Sequence, residues 1–213
     1  MKITAFYGGS FDPVHNGHIA VARQLLQHTP LDSVVLVPAF HAPHKVRLQP
    51  TSAYDRYAML CLATEADPGI SVSRMEIEAP ERPYSLETLT RILESTTPEE
   101  VFFVIGADSW RDIRTWREWE TVLTMVNILV VTRPGVELAA AHVSDKVRDR
   151  IIDLRGFDDL QFSNGLHVYF TDLVNMDVSA TEIRQKVRRD DASWRSDVPA
   201  NVVNYIEKYR IYK

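Results

Sequence analysis

The 213-residue chain has one cysteine, Cys61, set in the apolar run AMLCLA. A single thiol forms no disulfide within the chain and cannot supply a cysteine-rich zinc site, so Cys61 reads as a small apolar packing residue. Long hydrophobic runs are also missing, and nothing approaches the ~20 apolar residues that span a bilayer. The opening stretch, MKITAFYGGSFDP, carries one lysine and an apolar segment too short for a secretory signal. A soluble, cytoplasmic protein with no membrane partner is expected. Positive charge is not in excess either: 24 Lys and Arg stand against 29 Asp and Glu, a formal net charge of -5. The densest basic group, 186–189, reads as one solvated helix face rather than a stripe, so no nucleic-acid partner is expected.

Short apolar runs alternate with amphipathic stretches. Runs at 2–7, 33–37, 100–105, 127–132 and 166–170 predict buried strands, and 71–77 a further extended piece. Helices are predicted over 17–27, 54–66, 85–93, 118–125, 180–188 and 199–209. Residues 39–51 read as a loop, and 136–164, charged and irregular, as a helix plus loop. Strands that alternate with helices predict an α/β fold: a Rossmann-like, open, mostly parallel sheet with helices on both faces. Residues 1–213 read as a single domain, with 179–213 a small C-terminal helical region of it.

The most informative stretch is GGSFDPVHNGH, residues 8–18, where the first strand gives way to the first helix. In open α/β sheets ligands bind at the carboxyl ends of strands. Gly8 and Gly9 are expected to adopt backbone angles that other residues avoid and to admit a ligand to the main chain. A helix starting near Asn16 would place His15 and His18 at its positive end, where free N–H groups suit phosphate. Each imidazole can donate to a phosphoryl oxygen. Fixed donors of this kind, aimed at charge that develops in a transition state, are worth roughly 3–4 kcal/mol apiece. Plainer roles stay open: His15 as a turn residue, His18 as a cap partner, Asp12-Pro13 as an architectural turn. A zinc site is a further alternative, since His41 and His44 make a second pair with the same spacing.

GGSFDPVHNGH resembles the signature of the nucleotidyltransferases related to class I aminoacyl-tRNA synthetases. Its hallmark HxGH stands here as His15, Asn16, Gly17 and His18. Their second hallmark, ISSTxIR, has a counterpart in VSATEIR, residues 178–184, with Val178 and Ala180 as departures. PHK at 43–45, YSLETL at 84–89, IGADS at 105–109 and Thr115-Trp116 are similar to the bacterial nicotinate mononucleotide adenylyltransferase branch. Ser10 and Ser85 stand where threonine is commoner in that branch.

The resemblance implies adenylyl transfer from ATP to nicotinate mononucleotide, giving nicotinate adenine dinucleotide and pyrophosphate, with magnesium carried on the triphosphate. It implies His15 and His18 as catalytic residues. It assigns Gly8, Gly9, Ser10, Lys45, Asp108, Ser179, Thr181 and Arg184 to ATP, and Tyr84, Ser85, Thr88, Trp116 and Arg133 to the acceptor. On position alone Asp108 serves equally as a helix N-cap, and Ser179 as an N-cap in a capping box with Glu182. Lys45 could be a solvated loop lysine. Trp110, Trp119 and Trp194 read as packing residues. Other acceptors (nicotinamide mononucleotide, phosphopantetheine, a cytidylyl acceptor) and a nucleotide-binding regulator without catalysis are the alternatives.

Overall fold

The structure, a computed structural model, describes residues 2–40, 51–79, 83–132, 138–174 and 176–213. Among the described residues seven strands form one sheet: β1 (Thr4–Gly9), β2 (Ser33–Pro38), β3 (Ile70–Val72), β4 (Val101–Gly106), β5 (Asn127–Val131), β6 (Ile151–Asp153) and β7 (Val168–Thr171). Their spatial order is β3-β2-β1-β4-β5-β7-β6, and every pairing is parallel. The helices are α1 (Asn16–His28), α2 (Ala53–Ala63), α3 (Ser85–Leu93), α4 (Ala107–Arg111), α5 (Trp119–Met125), α6 (Asp145–Arg148), α7 (Ala180–Arg188) and α8 (Ala200–Tyr209).

Strands buried on both faces must carry apolar residues without a break. β4 does so from Val101 to Ile105 and β5 from Ile128 to Val131, and their successive side chains feed opposite cores. Phe102, Val104, Leu129 and Val131 pack with Ala5, Tyr7 and the apolar faces of α1, α2, α7 and α8. Phe103, Ile105, Ile128 and Val130 pack with α3, α4, α5 and α6. The sheet is therefore covered on both sides, as a Rossmann-like fold requires. From β1 the chain steps outward through β2 to β3, then returns to place β4 on the other side of β1. That reversal opens a crevice at the carboxyl ends of β1 and β4, the place where open α/β sheets bind ligands.

Three expectations are corrected. The extended piece over 71–77 stops at Val72, because the Ser73 hydroxyl takes the Met75 amide at 3.2 Å and turns the chain. Within 136–164 the structure adds the edge strand β6, whose Ile151 and Ile152 face opposite cores. The 186–189 group is not wholly solvated: Val187 is buried and Lys186 pairs with Asp197 at 3.0 Å.

Candidate active site

From Gly9 the chain runs through Ser10 and Phe11, a cis Asp12-Pro13 bond and Val14 to His15, the N-cap of α1. Gly8 and Gly9 keep ordinary strand angles, which corrects the expectation drawn from glycine's freedom. What excludes a side chain is crowding. A Cβ on Gly9 would lie 2.9 Å from Phe11 Cζ, and one on Gly8 3.0 Å from Phe103 Cζ. The unusual backbone belongs to Phe11, at φ 46, a region costly for a residue with a side chain. Its ring is buried against Tyr7 and His18, with centroids 5.4 and 4.9 Å away.

His15 and His18 stack with centroids 3.6 Å apart, so the His18 ring is held between Phe11 and His15. The His15 backbone N–H donates to His18 Nδ1 at 3.3 Å. In the neutral ring this places the proton on Nε2. Gly17 serves the same geometry, since a Cβ there would sit 3.2 Å from His15 Cε1 and Nδ1.

The residue that holds this strap was not apparent from sequence. Arg56, inside α2 and 1% exposed, is among the largest fully buried side chains. Its Nη1 donates to Ser10 O at 2.6 Å, Nη2 to Ala39 O at 2.6 Å and Phe40 O at 3.1 Å, and Nε to Thr51 O at 3.0 Å. One guanidinium thus ties the ends of β1 and β2 to the start of α2, using the fork of donors that only arginine offers. Burial pushes its pKa down from the ordinary value, and Asp12, Tyr212 and Glu76 work against that shift.

A cavity of about 500 Å³ opens beside the strap, lined by Gly8, Gly9 and Ser10 and by Tyr84, Ser85 and Trp116; His15 and His18, further along the strap, do not line it. Asp108 and Ser109 of α4 line it too, as do Phe103 and Glu76. Asp108 is not an N-cap: Gly106 takes that place and Asp108 lies in the first turn. Glu76 was also missed. Its carboxyl accepts from Thr88 Oγ1 at 2.7 Å and from the Phe40 amide at 3.4 Å. Burial raises its pKa; these hydrogen bonds and Arg56 and Arg91 oppose the rise. Thr88 is itself buried and does not line the cavity, its hydroxyl being directed to Glu76.

The second motif comes to the strap through α7. Arg184 Nη1 donates to Asp12 O at 2.6 Å and Nη2 to Thr181 Oγ1 at 3.2 Å. Each terminal nitrogen keeps a second N–H. A Cβ on Gly17 would lie 3.9 Å from Val178 Cβ, so the N-terminal ends of α1 and α7 adjoin. Ser179 occupies the N-cap of α7, but its side chain makes no capping hydrogen bond and no capping box with Glu182 forms. Trp110 and Trp194 are buried and Trp119 packs on a core. Lys45, Arg133, His41 and His44 lie outside the described residues. Among the described residues no three His, Cys, Asp or Glu side chains cluster in a way that could hold a metal ion. No helix of the described residues is long and apolar enough to cross a membrane.

A doubly wound parallel sheet with a histidine pair at its switch-point crevice defines a nucleotide-binding α/β protein. The profile of the cytidylyltransferase-like family matches residues 6–186, and the chain belongs to that family. The probable nicotinate-nucleotide adenylyltransferase of Geotalea daltonii is 35% identical over 210 residues, 96% of this chain and 95% of the relative. A protein of the same name from Thermus thermophilus is 35% identical over 213 residues, all of both chains. In fold, the chain is similar to Plasmodium falciparum nicotinic acid mononucleotide adenylyltransferase. The TM-score is 0.72 for the structure complexed with APC, at 17% identity over 100% of this chain and 98% of that one. For the structure complexed with NaAD it is 0.71.

Proposed function

We propose that this protein transfers the adenylyl group of ATP to nicotinate mononucleotide, releasing pyrophosphate, as its relatives are named for doing. What supports the reading is a cavity lined by the glycine strap together with Tyr84, Ser85 and Trp116, with the stacked His15–His18 pair further along the same strap.

A phosphate oxygen of the mononucleotide attacks the α-phosphorus of ATP. The bond from that phosphorus to the bridging oxygen breaks, and pyrophosphate leaves with the electron pair. No covalent enzyme intermediate is needed, so positioning and charge stabilisation supply the catalysis. His18, through Nε2–H, and His15 stabilise the charge on the transferring and departing phosphates. Gly8, Gly9 and Ser10 bring main-chain and hydroxyl groups to the same region. Ser179, Thr181 and Arg184 serve the triphosphate from α7, and Lys45 joins them as a point charge. Trp116 offers a flat face to the pyridine ring, while Tyr84, Ser85 and Arg133 serve the carboxylate end. Thr88 acts there through Glu76. Magnesium would ride on the triphosphate oxygens and neutralise them, with the Asp108 carboxylate a hard donor at the cavity wall. Such an ion keeps waters and phosphate oxygens and needs no protein cage. We place the protein in the cytoplasm.

The test is pyrophosphate release with ATP and magnesium, offering nicotinate mononucleotide, nicotinamide mononucleotide and phosphopantetheine in parallel. Release with nicotinate mononucleotide well above the others is expected. Preference for another acceptor would keep the chemistry and overturn the acceptor assignment. ATP binding without release would make the chain a regulator.

A further inference from the structure

Asp12 stands in the strap between Ser10 and His15, yet does not line the cavity. The residue is 8% exposed, and both carboxylate oxygens have partners within the protein. Oδ2 accepts from the Thr51 amide at 3.3 Å, and Oδ1 accepts from the phenol of Tyr212 at 2.7 Å, a partner 200 positions along the chain. The backbone beyond α8 is shaped to deliver that phenol. Arg210 turns to φ 53, the Ile211 amide bonds back to Ile206 O at 3.0 Å, and Tyr212 itself sits at φ 71. Two residues with side chains in the left-handed region, so close together, persist only where the surroundings hold them. The tyrosine is partly buried, and loss of water around the phenol first, then Asp12, raises its pKa and keeps it in the neutral form that donates. Thr51 also hydrogen-bonds to the phenol, while Arg184, which grips the Asp12 carbonyl, and Arg56 lie within electrostatic reach of it.

We propose that Tyr212 is a positioning residue for adenylyl transfer: by holding the Asp12 carboxylate, its phenol sets the strap that aims His15 and His18. It touches neither substrate and acts through Asp12, with Thr51 bonded to both. The proposal rests on the reaction assigned above, but its first readout does not depend on it.

That readout is the ring nitrogen resonances of His15 and His18 in the free full-length protein. Tyr212→Phe, which keeps the ring and removes only the hydroxyl, is expected to shift them. Tyr209→Phe, on the exposed side of α8, is expected to leave them alone. Unchanged histidine signals in Tyr212→Phe would overturn the proposal whatever the acceptor proves to be. In the pyrophosphate assay, Tyr212→Phe is expected to lower kcat about tenfold, on the scale of a sub-ångström misplacement. Both KM values should stay within about twofold, since the substitution removes no group assigned to either substrate. A higher KM at wild-type kcat would overturn it. The final arm is a double-mutant cycle. If the phenol acts through the carboxylate, Asp12→Ala/Tyr212→Phe falls no further than Asp12→Ala alone. A second, multiplicative loss would mean that Tyr212 acts by another route and would also overturn the proposal.

Discussion

Two arginines, one behind the strap that carries the histidines and one on the aromatic wall of the cavity, are held in unlike ways. At the histidine end Arg56 is buried and spends its three nitrogens on four backbone carbonyls drawn from three segments of the chain. At the aromatic end Arg117 stands over the Tyr84 ring, 5.2 Å from its centroid, and pairs with Glu87 at 3.1 Å. Those two side chains are 58% and 40% exposed, so the pair is worth about 0–1 kcal/mol. The end assigned to chemistry is thus over-determined, while the end assigned to the acceptor is open and lightly held. A displaced phosphoryl donor costs rate steeply, whereas a recognition surface can adjust as its ligand arrives.

The largest effect should follow from breaking the buried end. Arg56→Met leaves four carbonyls without their donor, and unmet buried acceptors cost about 1–3 kcal/mol each before water relieves some of them. A loss of at least about 3 kcal/mol is expected, lowering Tm by roughly 6–12 °C for a chain of this size, with activity lost as well. Thermal unfolding checks it. A variant as stable as wild type would mean that the two ends are not held differently at all.

His18→Ala separates chemistry from stability at the same end. The rate should fall at least ~100-fold, the scale of one lost oxyanion donor, with Tm within about 3 °C of wild type. Gly17→Ala probes the geometry more finely. Alanine favours a helix over glycine by roughly 0.5–1 kcal/mol, so stability should hold or rise. Yet the new methyl lies 3.2 Å from the His15 ring and must push it, and kcat should drop about tenfold. A faster enzyme would show that His15 does not need its present place. At the other end Arg117→Ala should cost less than about 1 kcal/mol of stability and raise the acceptor KM only a few-fold.

Legibility in the sequence follows the same division. HNGH and VSATEIR were readable because each motif is contiguous and each lies at the start of a helix whose period marks it. The alternating strands were readable because β4, and β5 after Asn127, are continuous apolar runs. β6 was not, because a three-residue edge strand between Arg150 and Arg155 offers too little pattern. Arg56 sits one residue from Asp55 on a helix and looks like any surface charge. Its partners lie 5 to 46 positions away, and those of Asp12 39 to 200 positions away. Such bonds exist only once the sheet has brought the segments together. Glu76 was hidden for the same reason. The glycines were found correctly but for the wrong cause: the sequence shows a Gly-Gly pair, while the crowding rings of Phe11 and Phe103 are a property of the fold.

The finest test concerns what stands behind Arg56. The helix that carries it is tied to α8 by Tyr205, whose phenol donates to Asp55 at 2.9 Å, and by Asn201, whose amide donates to Leu62 O. Burial, and then the hydrogen bond and charge of Asp55, push the Tyr205 pKa up from its ordinary 10 to about 12. A group whose folded pKa is raised gives stability that is complete below the unfolded value and is lost as pH climbs to the folded one. The tie should therefore be intact at pH 9 and fade between about pH 10 and 12. Other tyrosines with raised values, Tyr169 and Tyr212 among them, add to alkaline destabilisation, so the informative quantity is a difference. Wild type should exceed Tyr205→Phe in Tm at about pH 9 by a few degrees at most, the worth of one hydrogen bond, and the gap should close as pH rises through that window. A gap that stayed constant to about pH 12 would mean that the Asp55 contact does not brace α2, and that the rigidity of the histidine end comes from Arg56 and its carbonyls without help from the helix behind it.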